Sequence, residues 1–276
     1  MKRIIIFLFV LLNIQVFSQK NFELNTILMN STFRIQGSGK TGTVFIIGRP
    51  SKKDSAKAFY VLVTANHVLA DIKTDQAILY LRKEIDTVYS LYPYLIKIRN
   101  NGNPLWVKHP DADVAAMYVS LPSDVKINLL PTYFLATDSL ISEFEIHPGD
   151  DLYCLGYPYG VSASEAGFPI LRSGIISSYP LLPSKEIKTF LFDFRVFGGN
   201  SGGPVYFIGA NRNYKGGVHI GVVRFIMGLV SKQKMIQEEI KSMDETTTKE
   251  HPLGLAIIVP ATFIRGTINL LPDLDK

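Results

Sequence analysis

The stretch Gly198-Gly199-Asn200-Ser201-Gly202-Gly203-Pro204-Val205 brackets one serine with two glycine pairs and ends in a Pro-Val that opens an apolar run. Glycine reaches backbone angles closed to other residues, so a serine there sits on a sharp turn with its hydroxyl exposed. Neighbouring N–H groups are then free to converge on one point. An acyl-transfer nucleophile needs this, because the developing oxyanion must meet donors already in place. A bare Gly-Ser-Gly would mark an ordinary turn between strands; the longer order is more specific.

A serine hydroxyl is a poor nucleophile without a base, and the base needs an orienting acid. Tyr60-Val61-Leu62-Val63-Thr64-Ala65-Asn66-His67-Val68 puts a histidine just past a buried-type strand. Asp111-Ala112-Asp113-Val114-Ala115-Ala116-Met117 puts an aspartate at the entrance of another apolar run. Asp111 competes with Asp113, but Asp113 has the Val-Ala continuation that buries an orienting acid.

With Thr64-Ala65-x-His67-Val68, Asp113-Val114-Ala115 and Gly199-Asn200-Ser201-Gly202-Gly203-Pro204 in this order, the chain resembles the trypsin/chymotrypsin-like serine proteases. The likeness covers most of the chain after residue 30, including Gly156-Tyr157-Pro158 and Gly254–Pro260. It fits the bacterial, HtrA-like branch, without a PDZ domain after Pro260. The resemblance implies an all-β fold of two six-stranded antiparallel β-barrels with a C-terminal helix. It implies His67 as general base, Asp113 as its orienting acid and Ser201 as nucleophile, with the Gly199 and Ser201 N–H groups as oxyanion hole. The substrate would be a protein or peptide, and the chemistry needs no cofactor or metal.

Digestive relatives carry Asp before the nucleophile and pair it with a freed N-terminal amine. Asn200 carries no charge to pair, so the site is expected to form without N-terminal cleavage. By resemblance, the specificity pocket maps onto Arg195, Val196, Phe197 and Gly198, then Val223–Ile226, then Gly254–Ala256. Arg224, Phe225 and Ile226 would offer main-chain hydrogen bonds to an extended substrate. Arg195 stands where a trypsin-type enzyme has its pocket-floor aspartate, which disfavours Lys or Arg before the scissile bond. Pointing inward, Arg195 would favour an acidic side chain; turned to solvent, it leaves Ile226 to narrow an apolar pocket.

Lys2-Arg3, the apolar run Ile4–Leu12 and Val16-Phe17-Ser18 read as a signal peptide over 1–18, with an uncleaved membrane anchor as the alternative, making the chain exported, to a periplasm or outside the cell. The apolar run is shorter than the roughly 20 residues that cross a bilayer, and no later stretch is long enough, so no membrane association is expected once the signal is removed. The remainder suits two small barrels sharing a cleft: 19–135 with His67 and Asp113, and 136–276 with Ser201. The net charge of +5 is scattered, without a dense basic run, so nucleic acid is not an expected partner. Cys154 is the only cysteine, so no intrachain disulfide forms; its apolar neighbours mark it as a small buried hydrophobe.

Short apolar, β-branched runs between turn residues predict strands near 33–36, 43–48, 58–64, 77–82, 94–99, 151–157, 170–178, 189–194, 203–208, 219–225 and 255–259. Pro260 to Leu271 predicts a closing helix with Ile264, Ile268 and Leu271 on one face. Ser231–Glu250 is a charged insertion: either a solvated surface segment, its first half a short helix, or a mobile specificity loop over the cleft. Gly37-Ser38-Gly39-Lys40-Thr41 looks like the end of a phosphate loop, but Arg34 replaces the earlier glycine and a strand follows, so a hairpin is expected. His109, His147, His219 and His251 lack metal-ligand spacing. The competing function is a noncatalytic peptide-binding protein on a protease fold; ester hydrolysis by the same triad is a third.

Overall fold

In this computed structural model residues 23–54, 57–241 and 246–275 are described. The expected leader at 1–18 lies outside them. The first half runs α1 (Leu24–Ser31), β1 (Thr32–Gly37), β2 (Lys40–Pro50), β3 (Ala58–Thr64), α2 (Asn66–Asp71), β4 (Gln76–Ile85) and β5 (Val88–Lys97). Three two-residue strands follow, β6 (Arg99–Asn100), β7 (Asn103–Pro104) and β8 (Val107–Lys108), before β9 (Ala115–Tyr118). The second half holds α3 (Asp138–Glu143), β10 (Asp151–Gly156), β11 (Ile170–Ile176), β12 (Phe190–Asp193), β13 (Pro204–Tyr214), β14 (Gly217–Lys241), β15 (Thr246–Pro260) and α4 (Ala261–Asn269).

The strands build two antiparallel layers. The second half closes into a six-stranded barrel, β10-β11-β12-β15-β14-β13. The first half forms a seven-stranded sheet, β5-β4-β1-β2-β3-β9-β8, in which the short β8 is the strand added to the expected six. β2 is central because Gly42–Gly48 is buried on both faces, whereas β4 alternates buried and partly exposed residues and lies near the edge. Ser38 and Gly39, at φ 49° and 71°, make the two-residue turn of the β1–β2 hairpin, so the phosphate-loop likeness has a structural explanation.

Buried side chains join the halves. The guanidinium of Arg82, on β4, donates to the Tyr157 hydroxyl and to the carbonyls of Met29, Asn30, Thr32 and Gly167. α4 buries Phe263, Ile264, Thr267 and Ile268, and the chain beyond it accepts hydrogen bonds from Arg49 and Tyr118 of the first sheet. Cys154 is buried and its thiol is pushed up to about 12 by desolvation, which leaves it inert.

Ser231–Glu250 differs from the sequence reading: its first half is strand, not a short helix. β14 and β15 pair from Gly228↔Pro260 out to Lys241↔Thr246 as one long ribbon. The apolar stripe of Met235, Ile236 and Ile240 is too sparse to hold a helix against the run Thr246-Thr247-Thr248, whose β-branched residues favour a strand partner.

Candidate active site

Two consecutive tight turns explain the glycine spacing around Ser201. Asn200 N–H donates to Phe197 C=O at 3.1 Å, and Gly203 N–H donates to Asn200 C=O at 3.0 Å. The third residue of each turn, Gly199 and Gly202, has φ of +97° and +86°. A Cβ on Gly199 would lie 2.2 Å from the Tyr157 carbonyl oxygen, and one on Gly202 would lie 2.1 Å from the Thr43 carbonyl oxygen. Both positions therefore need glycine for angle and for space.

The first sheet bolts these turns in place through Thr43. Its N–H donates to Ser201 C=O at 2.9 Å, its Oγ1 donates to Gly199 C=O at 2.6 Å, and its Oγ1 accepts Tyr157 N–H at 3.2 Å. On the other side Gly202 N–H donates to Val230 C=O at 2.7 Å, and Val230 N–H donates to Gly203 C=O at 2.9 Å. Among the described residues the N–H groups of Gly199 and Ser201 have no protein acceptor. Two donors beside the serine are thus unspent.

His67 lies in the first turn of α2, just after β3, and Asp113 precedes the buried β9. Asp113 meets His67 twice: Oδ1 accepts the His67 backbone N–H at 3.0 Å, and Oδ2 lies 2.7 Å from Nδ1. This two-point contact fixes the ring orientation and puts the proton on Nδ1, leaving Nε2 free of it in the neutral ring. Ser231 adds a third contact, its Oγ donating to Asp113 Oδ2 at 2.6 Å. The hydrogen bond with Asp113 raises the His67 pKa above its usual value; burial and the charge of Lys232 oppose the rise, and the charges of Asp113 and Asp71 add to it. Burial alone would push Asp113 up, but hydrogen bonds from the His67 ring, the Ser231 hydroxyl and the His67 amide hold it below the carboxylate norm. Asp111 is exposed and 3.9 Å from Lys188.

Ser201 joins this group from the second half, with its Oγ donating to the Ser231 carbonyl at 2.9 Å. No hydrogen bond links Ser201 to His67 among the described residues. Rotation about χ1 of Ser201 carries the hydroxyl between staggered wells.

The expected substrate-binding strand is placed differently. Phe225 and Ile226 are 3% and 0% exposed, and Ile226 C=O accepts Ala136 N–H at 2.9 Å. At about 3.3 Å per residue, Arg224–Ile226 lie roughly 15–25 Å up the strand from Ser231. They therefore neither offer hydrogen bonds to a substrate nor narrow a pocket beside Ser201. The residue that touches Ser201 is Ser231, followed on β14 by Lys232, paired to Ile257, and Gln233, paired to Ala256. Sequence reasoning missed them; the apolar run Phe225–Val230, ending at Ser231, was the usable signal for where the core strand stops. Gly254, at φ +77° with open space where a Cβ would go, stays near this end of the ribbon. Arg195 is exposed, its carbonyl held by Arg172, while Val196 is buried, Phe197 half-buried and Gly198 exposed with its carbonyl on Tyr159 N–H.

The remaining histidines have separate surroundings. His109 packs edge-on against Phe263, His147 meets the Pro148 carbonyl, His219 stacks on Tyr214 and His251 lies 2.9 Å from Glu238. No group of three or more His, Cys, Asp or Glu suited to a metal occurs among the described residues.

No protein-family model matches the chain, and no curated protein matches it. Among solved structures, Rv3671c from M. tuberculosis H37Rv, in an inactive form, superposes with a TM-score of 0.44 at 17% identity over 90% of each chain. The protease Anisep from Arthrobacter nicotinovorans gives 0.46 at 14% identity, over 88% of this chain and 95% of its own. The thermostable serine protease AL20 gives 0.45 at 12%, over 88% and 96%. In fold, with an antiparallel sheet followed by a closed six-stranded barrel, the chain resembles the trypsin/chymotrypsin-like serine proteases.

Proposed function

We propose that the chain is a serine endopeptidase that cleaves peptide bonds through an acyl-enzyme intermediate. Ser201 Oγ attacks the scissile carbonyl while His67 Nε2 takes its proton. Asp113 holds the imidazole and stabilises the imidazolium. The N–H groups of Gly199 and Ser201 receive the oxyanion. His67 then gives the proton to the leaving amine, and water repeats the sequence on the ester. The observation that carries this reading is the two-point Asp113–His67 contact beside a serine turn with two unspent N–H donors.

On the same reading, residues 1–18 are a cleaved leader and the mature chain is exported, with catalytic units 19–135 and 136–276. Specificity is set at Arg195–Gly198, Ser231–Gln233 and Gly254–Ala256 rather than at Arg224–Ile226. The noncatalytic alternative draws on one observation, the Ser201 hydroxyl turned to Ser231 rather than His67.

The test is digestion of unfolded casein by the purified chain, with Ser201→Ala as control. New fragments that disappear in the variant are expected. Intact casein with a folded wild-type chain would contradict the reading, as would fragments ending mostly in Lys or Arg contradict its specificity.

A further inference from the structure

The buried arginine that joins the halves reaches the oxyanion turn through one tyrosine. Arg82 is 4% exposed, and among the described residues no carboxylate pairs with it. Carbonyls take its protons instead: Met29 and Asn30 in the last turn of α1 at 2.9 and 3.0 Å, Thr32 at 2.9 Å and Gly167 at 2.9 Å. The last carbonyls of a helix have no partner within it and carry partial negative charge, so they suit a guanidinium. Desolvation lowers the Arg82 pKa, yet an arginine stays protonated in a protein. The ring centroids of Phe33 and Phe168 each lie 4.5 Å from the guanidinium carbon.

The remaining contact of Arg82 is the Tyr157 hydroxyl, 3.3 Å away, which also lies 3.1 Å from the Thr32 carbonyl and 3.0 Å from that of Gly167. The ring of Tyr157 is fully buried, and its main chain faces the serine turns. Its carbonyl oxygen is the atom that a Cβ on Gly199 would meet, and it accepts Gly160 N–H at 2.9 Å. Inside the turn so closed, Tyr159 takes φ +52°, which a non-glycine residue holds only when its surroundings enforce it. Tyr159 N–H donates to Gly198 C=O at 2.6 Å. Gly198 C=O and Gly199 N–H belong to one trans peptide unit and point in opposite directions. Holding the carbonyl therefore aims the N–H.

We infer that Arg82 is a positioning residue for the oxyanion turn, acting through Tyr157 and the Tyr159–Gly198 hydrogen bond on the direction of the Gly199 N–H. The inference rests on the proposed endopeptidase reading, in which that N–H receives the oxyanion. Arg82 touches neither substrate nor the reacting atoms, so its hold is geometric. A Tyr157 ring free to slide lets the turn at 157–160 move. The Gly198–Gly199 peptide can then rotate, which replaces a donor by a carbonyl oxygen that repels the oxyanion. Seating of α1 becomes a condition of turnover, because Met29 and Asn30 end that helix and Thr32 follows it.

The experiment measures steady-state hydrolysis of a fluorogenic peptide by wild type, Tyr157→Phe, Arg82→Lys and Arg49→Met, well below each melting temperature. Arg49→Met is the control: it cuts guanidinium–carbonyl bonds that also join the halves, but on the α4 side. Hydrogen exchange of the same chains, read by mass spectrometry over 157–160 and 197–203, needs no turnover. Tyr157→Phe and Arg82→Lys should lower kcat about tenfold or more, short of the 10²–10³ of a deleted donor, with KM within about twofold. Exchange should rise in both segments and stay at the wild-type level over 62–69, around His67. Arg49→Met should lose stability and keep kcat. Wild-type kcat in folded Tyr157→Phe and Arg82→Lys, or an equal fall in Arg49→Met, overturns the inference while leaving the endopeptidase reading intact. Unchanged exchange over 197–203 in both variants overturns it whatever the turnover. A wild-type chain that hydrolyses no peptide, while exchange over 197–203 responds to both variants, supports the positioning role and overturns the endopeptidase reading.

Discussion

Ser201 Oγ donates to the main-chain carbonyl of Ser231 at 2.9 Å, while the side chain of Ser231 donates to Asp113 at 2.6 Å. One residue thus touches both Ser201 and Asp113. On the proposed endopeptidase reading, a substrate N–H arriving at the Ser231 carbonyl would compete with the Ser201 hydroxyl for the same acceptor.

Ser231→Ala should destabilise the chain by about 1.5–3 kcal/mol at neutral pH, the scale of a lost hydrogen bond to a charged group. The Asp113 pKa should move up, because one of the bonds holding it down is removed. Denaturant titration at pH 7 and at a pH below the depressed folded Asp113 value checks this: the difference from wild type should shrink on acidification, as Asp113 becomes neutral in both chains. An equal loss at both pH values would contradict it.

The pH dependence has a definite sign. The folded His67 pKa is raised, so protonated His67 contributes stability below about pH 6.5, and this is lost as pH rises through the folded value. Asp113 is depressed; its contribution is present above about pH 3.9 and lost as pH falls through its folded value. Catalysis needs neutral His67, so kcat/KM should rise along one ionisation with its midpoint above 6.5. Lys232→Glu removes an opposing positive charge and should move that midpoint higher. A midpoint unchanged in this variant would contradict the assignment.

Thr43→Val removes the hydroxyl that ties Gly199 C=O and Tyr157 N–H to the first sheet. The two lost bonds should cost about 1–3 kcal/mol in stability. Because they position the oxyanion turn, kcat should fall while KM changes little. Steady-state kinetics at a temperature well below unfolding separates the two effects; wild-type kcat would contradict the positioning role.

Gly199→Ala should be more severe for catalysis. Its Cβ would collide with the Tyr157 carbonyl, and the turn must move to relieve it. Loss of one oxyanion donor predicts a drop in kcat of about 10²–10³. Wild-type turnover in a folded Gly199→Ala chain would remove Gly199 from the proposed hole.

Asn200 is buried, and its side-chain amide nitrogen has no acceptor among the described residues. Asn200→Asp would bury a carboxylate there, which is expensive without a cation. The melting temperature should fall at pH 7 and recover towards pH 4, where the acid is neutral. Equal melting temperatures at pH 7 would contradict this environment.

Much of the fold was legible because strand periodicity and turn chemistry are local. Ala58–Thr64 was readable from its apolar run, and the closing helix from the spacing of Ile264 and Ile268. The glycine order around Ser201 also carries its meaning locally, since two turns demand positive φ at fixed positions. What stayed hidden depends on partners far away in sequence. The role of Thr43 appears only when the two halves meet. The length of β14 depends on Thr246–Pro260 folding back along it, so its charged outer half read as an insertion rather than a strand. Expecting the substrate-binding residues at Arg224–Ile226 put them inside the apolar run, whose end at Ser231 is the local sign of where β14 leaves the core.

The most direct measurement is intact mass spectrometry of the purified chain after exposure to a fluorophosphonate, with Ser201→Ala and His67→Ala alongside. The account predicts one adduct on the wild type, mapped by peptide sequencing to Ser201, and none on either variant. A folded wild-type chain that takes no adduct, or takes one at another residue, would contradict Ser201 as a His67-activated nucleophile.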